Sequence, residues 1–250
     1  IFFQVRPKFY LTKRKNANSS FSMVKESPMM TSLIYRINFV PMTASIKPWQ
    51  WGLYDFANSL ANVAVSFYFV LWFVENLKSQ DYFVSLVVAL VTIILLCTLP
   101  QIGARADHLG THVRDLTILT ICSIVSLCLL SVTALSVSHP SLLTVLSVLV
   151  FYALFQYFYQ ASIAIYTSLL RFVSSPDEIN AEVRVAGTGN ALGQLGNVVG
   201  LLLALPVASM FGRPAAILSG AILFGLCSIP VLLWFRRLKT KTATPTIPPR

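Results

Sequence analysis

The chain has 250 residues, 56% of them hydrophobic and 11% charged, with a net charge of +10. Soluble domains carry about 25% charged residues, so this composition excludes an ordinary water-soluble globule and indicates an integral membrane protein. The basic residues lie outside the apolar runs, where they meet lipid headgroups or cytosol rather than a nucleic-acid groove, so the lipid bilayer is an expected partner and nucleic acid is not.

Residues 1–48 are set apart from the rest. The first fifty residues hold eight of the nineteen Lys and Arg, and no apolar run there is long enough for a signal-peptide core. Met42 opens a short polar lead before the first apolar segment. Residues 1–48 are therefore read as a basic, disordered arm, with residues 1–41 either outside the folded domain or upstream of the true start. A six-helix domain is expected over 49–235 and a basic cytoplasmic tail over 236–250.

A membrane helix needs about 20 mainly apolar residues. Six stretches meet that length: Trp51 to Phe73, Phe83 to Gly103, Leu116 to Val137, Leu142 to Ile165, Gly187 to Phe211 and Ala215 to Phe235. None contains Lys or Arg. The fold class expected is all-α and membrane-spanning.

The first span carries Asp55, with Asn58 and Asn62 three and seven residues further on, which places all three on one helical face. An ionisable group at membrane depth is expensive and marks a candidate pathway. Partial desolvation of Asp55 would suit proton exchange with a substrate or coupling path. The plainer alternative is that Asp55, about 6 Å from Trp51 along the axis, reaches headgroups or a neighbouring helix end.

After the second span comes Gly103-Ala-Arg105-Ala-Asp107-His108-Leu-Gly110-Thr-His112-Val-Arg114. Here the glycines are expected to permit a tight turn, and Asp107 to cap and charge the start of the next helix. The histidines are expected in solvated loops, without a metal. The third span offers only scattered Ser, Thr and Cys.

The fourth span brings Tyr152, Gln156 and Tyr159 at i, i+4 and i+7, with Gln160 alongside and Tyr166 near the end. They read either as interhelical hydrogen bonds or as a cavity lining. The fifth span has Gly189, Gly193, Gly196 and Gly200 at steps of four, three and four residues, a side-chain-free stripe for close helix packing. Pro206 and Pro230 lie in the last two spans and can introduce kinks. The four cysteines sit within apolar stretches without metal-ligand or disulfide spacing, and no cofactor is implied.

Cytoplasmic loops are enriched in Lys and Arg. Seventeen of the nineteen fall on the side of the N-terminal arm, the loops after spans two and four, and the tail, while the other side has Lys78 and Arg213. Removing residues 1–41 leaves ten against two. Both termini are expected inside. Polar content peaks in spans one and four, the first members of two successive triplets, as expected for two three-helix repeats.

Gly103, Asp107 and Gly110 are placed as in the cytoplasmic signature of the major facilitator superfamily, with His108 and Thr111 in place of its usual arginines and Arg114 beyond. Two segments resemble the vacuolar amino-acid effluxer family within it. They are Tyr54-Asp55-Phe56-Ala57-Asn58-Ser59, and Tyr166-Thr-Ser-Leu-Leu170 followed by the Arg184–Gly196 glycine-rich segment, where Arg171 replaces the family's usual Pro. The resemblance spans about residues 49–235, the N-terminal half of a twelve-helix fold. It implies a secondary transporter half, not an enzyme, that moves small polar solutes such as amino acids by alternating access.

Its partners would be the small-molecule substrate and a C-terminal six-helix half, or a second copy of the chain. The gate motif would comprise Gly103, Asp107, His108, Gly110 and Arg114, and the pathway Asp55, Asn58, Asn62, Gln156, Tyr159 and Gln160. The plasma membrane is expected, or the vacuolar membrane in a eukaryote. Two other readings compete: a non-transporting fragment or scaffold, and an intramembrane serine protease built on Ser219-Gly220, which lacks a histidine at depth.

Overall fold

The computed structural model describes residues 47–137, 139–173 and 180–242. Residues 1–46 and 243–250 lie outside that description, and with them the reading of the basic arm and of the end of the tail. Among the described residues there are helices and short connections, and no strand.

The helices are α1 (Pro48–Leu77), α2 (Tyr82–Leu109), α3 (His112–Leu135), α4 (Leu142–Ser168), the single turn α5 (Leu170–Val173), α6 (Ala181–Phe211) and α7 (Arg213–Thr242). All except α5 are long and apolar enough to cross a membrane. That length follows from solvent: in hydrocarbon every backbone N–H and C=O must be paired within the protein, and a helix pairs them internally. Pro100, Pro206 and Pro230 are carried inside continuous helices.

Most helix ends lie beyond the expected spans; the end of α3 is the exception, at Leu135 rather than Val137. Where a helix runs past its apolar core, polar residues at the end continue the backbone pattern in water or headgroups as readily as apolar ones. α2 extends six residues past Gly103, α6 begins at Ala181 rather than Gly187, and α7 runs through Thr242, into the stretch expected as tail. Connections are correspondingly short: Gly110 and Thr111 join α2 to α3, and Gly212 alone joins α6 to α7.

The core sits between α1, α3, α4 and α7, with α2 and α6 on its flanks. One set of buried residues, including Phe69, Phe73, Leu130, Phe155 and Phe224, lies toward the Leu77 end of α1. A second set, including Trp51, Tyr54, Leu116, Ile165 and Phe235, lies toward the Trp51 end. α1 packs on α6 and α7, α3 packs on α4 and α7, the pairs α6/α7 and α2/α4 touch less extensively, and α2/α3 touch least. Successive spans run antiparallel. Trp49 meets Trp234 at one end of α1 and α7, with ring centroids 6.1 Å apart, and Glu75 pairs with Arg213 at the other.

Candidate functional site

The polar face of α1 is longer than the three residues singled out from sequence. Asp55, Ser59, Asn62 and Ser66 follow at steps of four, three and four residues, a stripe of about 16 Å along the helix. Asp55, Ser59 and Asn62 are half-buried and Ser66 is exposed. Asn58 lies to one side of the stripe and is buried, at 4% exposure.

Two neighbours define where this stripe points. On one side is α6, whose glycine row meets α1 along its length: Gly189 at Trp51, Gly193 at Asp55 and Ser59, Gly196 at Phe56 and Ser59, and Gly200 at Leu60 and Val63. A side chain at Gly196 would place its Cβ 2.5 Å from the Phe56 carbonyl oxygen, and one at Gly193 would lie 3.0 Å from Asp55 Oδ2. Glycine is required at these close approaches because any side chain would separate the two backbones.

On the other side is α4, held to α1 through aromatic side chains. Trp51 stacks on Tyr166 with centroids 4.3 Å apart, and Phe69 stacks on Tyr152 at the same spacing. The Tyr166 hydroxyl donates to the Trp51 carbonyl at 2.9 Å. Tyr159 stands beside Asn58 and within electrostatic reach of Asp55. The Asp55 stripe therefore opens between α4 and α6.

α4 shows the same division. Its buried row of Tyr152, Phe155, Tyr159 and Ile165 faces the core, and Tyr157 on another side donates its hydroxyl to Thr98 of α2 at 3.2 Å. Gln156 and Gln160 fall between those two sides on the helical wheel, half-buried and exposed respectively. Gln156 Nε2 donates to the Tyr152 hydroxyl at 2.8 Å. The polar residues of α1 and α4 thus border one open side of the bundle, flanked in order by α2, α4, α1 and α6. Tyr159 is the group that connects the Asp55 stripe to α4.

The sequence reading passes over a further row on that side. Asn190, Gln194 and Asn197 of α6 stand next to the glycine row at i, i+4 and i+7, with Asn190 and Gln194 exposed and Asn197 half-buried. Asn197 Nδ2 donates to Gln194 Oε1 at 3.4 Å. Their amide spacing was the available signal, obscured by the glycines between them. Also passed over is the hydroxyl row of α3, in which Thr120 Oγ1 lies 2.7 Å from the buried Tyr54 hydroxyl.

At the Trp51 end, the structure corrects the expected turn. Gly103 and Asp107 are helical residues of α2, and Gly103 has open space where a side chain would go. Only Gly110 makes the turn, with φ of +62° that a glycine adopts without strain. Its N–H and that of Thr111 both donate to the Ala106 carbonyl.

Asp107 does not cap α3. The acidic residue in the first turn of α3 is Asp115, which accepts from Thr111 Oγ1 at 2.7 Å. Asp107 Oδ1 instead lies 3.0 Å from Nε2 of His112, and His112 is the first residue of α3 and buried, at 6% exposure, not solvated in a loop. His108 and Arg114 are exposed. A cavity of about 260 Å³ here is lined by Gly103, Asp107, His112, Thr167, Ser168, Leu170 and Glu182.

At the opposite end, a cavity of about 600 Å³ is bordered by Trp72, Glu75, Asn76, Ala134, Pro140 and Arg213, among others. Ser219 donates its hydroxyl to the Ala216 carbonyl, and Gly220 packs against Ala64. The four cysteines are free thiols, and no group of three or more His, Cys, Asp or Glu suited to a metal occurs among the described residues.

No protein-family model, curated protein or solved structure matches this chain.

Proposed function

We propose that this chain is one half of a secondary transporter of the major facilitator type, moving small polar solutes, with amino acids as the first class to test. The observation that carries this reading is the polar open side of the bundle. The polar residues of α1 and α4 border it together, while the opposite sides of both helices are packed with aromatic and aliphatic residues. Amides and a carboxyl at membrane depth need a polar partner or water. A second six-helix unit facing this side would enclose an aqueous path, with Asn190, Gln194 and Asn197 at the seam.

The pairing of helices supports a two-repeat origin. Exchanging α1 with α4, α2 with α6 and α3 with α7 turns α1/α6 into α4/α2, α1/α7 into α4/α3 and α6/α7 into α2/α3, and leaves α3/α7 unchanged; each of these pairs is in contact, α2/α3 least. Two three-helix units related by a pseudo-two-fold axis generate that pattern. The distribution of Lys and Arg puts the Trp51 end in the cytosol, so the Asp107–His112 pair would stand at the inner mouth, as in the family signature, and the second half would close against it.

Asp55 is the proposed coupling group, exchanging a proton as the path opens to either side. The test is uptake of a labelled amino-acid mixture into proteoliposomes carrying this chain with its second half or as an assembled dimer, with and without a pH gradient. The wild type should concentrate solute when the gradient is imposed. Asp55→Asn should abolish that response while the variant remains folded. Gradient-driven uptake that survives in Asp55→Asn would refute the role of Asp55, and no flux in any assembly would refute transport.

A further inference from the structure

Behind the Asp55 stripe, in the interior of the bundle, α1, α3 and α4 meet at two successive levels. The first is marked by Tyr54, whose hydroxyl lies 2.7 Å from Thr120 Oγ1 and beside Ser162. α1 and α3 run in the same direction and α4 in the opposite one, because the start of α1 meets the end of α4 and the start of α3 shares a cavity with it. One turn further toward the Leu77 end therefore brings Asn58, Ser123 and Tyr159 to a common level.

At this second level, two buried polar atoms have no protein partner: Asn58 Oδ1 and Ser123 Oγ. Asn58 is 4% exposed and Ser123 is fully buried. Ser123 is exceptional among the buried hydroxyls of its helix. Thr117, Thr120, Ser126 and Ser131 each donate to the carbonyl four residues earlier, the ordinary way for a helical hydroxyl to be satisfied. Ser123 does not, so its hydroxyl is left to bond to something other than its own helix.

We infer that Asn58 and Ser123, with Tyr159, hold an internal water molecule at the junction of α1, α3 and α4. A water can donate to the Asn58 carbonyl oxygen, accept from the Ser123 hydroxyl and use the Tyr159 hydroxyl as a third partner, which matches the two to four bonds of buried waters. A cation fits less well. The nearest carboxyl, Asp55, is directed at Gly193 of α6, so a cation here would sit among neutral oxygens without a compensating charge.

The water makes Asn58 a positioning residue. With its oxygen bound, the amide stays fixed beside Tyr159, and Tyr159 stays near Asp55. The water site itself stands without the transport reading, and only this last consequence rests on it.

Hydroxyl-radical labelling by X-ray radiolysis, which splits bound water in place, read by mass spectrometry on the full chain in nanodiscs, tests the site directly. Buried side chains beside a bound water are labelled quickly although bulk solvent does not reach them. Tyr159 should be labelled severalfold faster than Phe155, which is also buried. Ser123→Ala should lower that labelling, and Asn58→Leu combined with Ser123→Ala should bring it to the level of Phe155.

Melting temperature should be the same in sodium, potassium and choline salts. A melting temperature raised by sodium alone would overturn the proposal in favour of a cation. Slow labelling of native Tyr159, together with a higher melting temperature for the double variant, would overturn it in favour of a dry junction. If transport is absent while labelling follows the expected pattern, the transport reading falls and the water site stands.

Discussion

α1 and α2 are consecutive membrane-length helices with opposite surroundings. The apolar stretch of α1 is the least apolar of the six and 56% of it is buried, whereas that of α2 is the most apolar and 17% of it is buried. In water the more apolar helix would be the buried one. In a bilayer, apolar residues gain little by leaving lipid, and the polar residues are those that must be enclosed. α1 therefore carries Asp55, Asn58 and the contacts with the glycine row, while α2 presents Leu86, Leu90, Ile93 and Leu96, each more than half exposed, to the lipid side.

The largest expected effect comes from disturbing the helix that holds α1. Gly196→Leu places side-chain atoms where the Phe56 carbonyl already lies, and the backbones must separate along the whole glycine row. Overpacking of a well-filled core typically costs about 1–3 kcal/mol, and a clash with backbone belongs at or above the top of that range. Loss of a monodisperse peak in size-exclusion chromatography is expected. Gly103→Leu in α2 is the matched control, because no atom lies within 4 Å of its new Cβ. It should elute and melt like the wild type; equal damage from both would show that the α1/α6 seam has no special role.

A second contrast uses side-chain removal. Phe69→Ala empties a fully buried position stacked on Tyr152, and deleting a buried aromatic ring costs about 3–5 kcal/mol in soluble cores. Leu96→Ala, at a residue 71% exposed, should change stability by less than about 0.5 kcal/mol. Thermal melts in one detergent would measure both, and a large loss for Leu96→Ala would mean that α2 is covered by protein.

The same contrast explains what was legible in the sequence. The six spans could be read because a long apolar run needs no knowledge of its neighbours. The glycine row could be read as a surface for close packing, but its partner could not, since the match to Trp51, Asp55, Phe56 and Leu60 exists only once α1 and α6 lie together. Helix ends were the weakest point. Ala104 to Leu109 contains no residue that stops a helix, so Gly103 and Asp107 stay in α2, and the turn falls on Gly110 and Thr111 alone. Asp55, Asn58 and Asn62 stood out by type, whereas Ser59, Ser66 and Ser123 are residues common in any helix and became informative only through what surrounds them.

Tyr166→Phe probes how α1 is held on its α4 side. The variant keeps the ring stacked on Trp51 and deletes the hydroxyl that donates to the Trp51 carbonyl. That carbonyl is already part of a helix, so its loss of one of two bonds is tolerable, and about 1 kcal/mol of destabilisation is expected. A much larger drop in melting temperature would mean that the hydroxyl serves a wider network.

The smallest effect is expected where α1 ends. Glu75 and Arg213 form a direct ion pair that joins α1 to α7, but their side chains are 56% and 30% exposed. Charges in contact with water attract weakly, are screened by salt, and must give up side-chain freedom to stay together. The helices are already joined beneath this pair by Gly220 against Ala64 and by the packing of Trp72 and Phe73. A double-mutant cycle of Glu75→Gln and Arg213→Gln, measured by thermal melts at low and at high salt, should therefore give a coupling close to zero at high salt and only slightly favourable at low salt. A strong coupling that persists at high salt would show that this end of α1 is shielded from water, which would extend the enclosed character of α1 to its last turn.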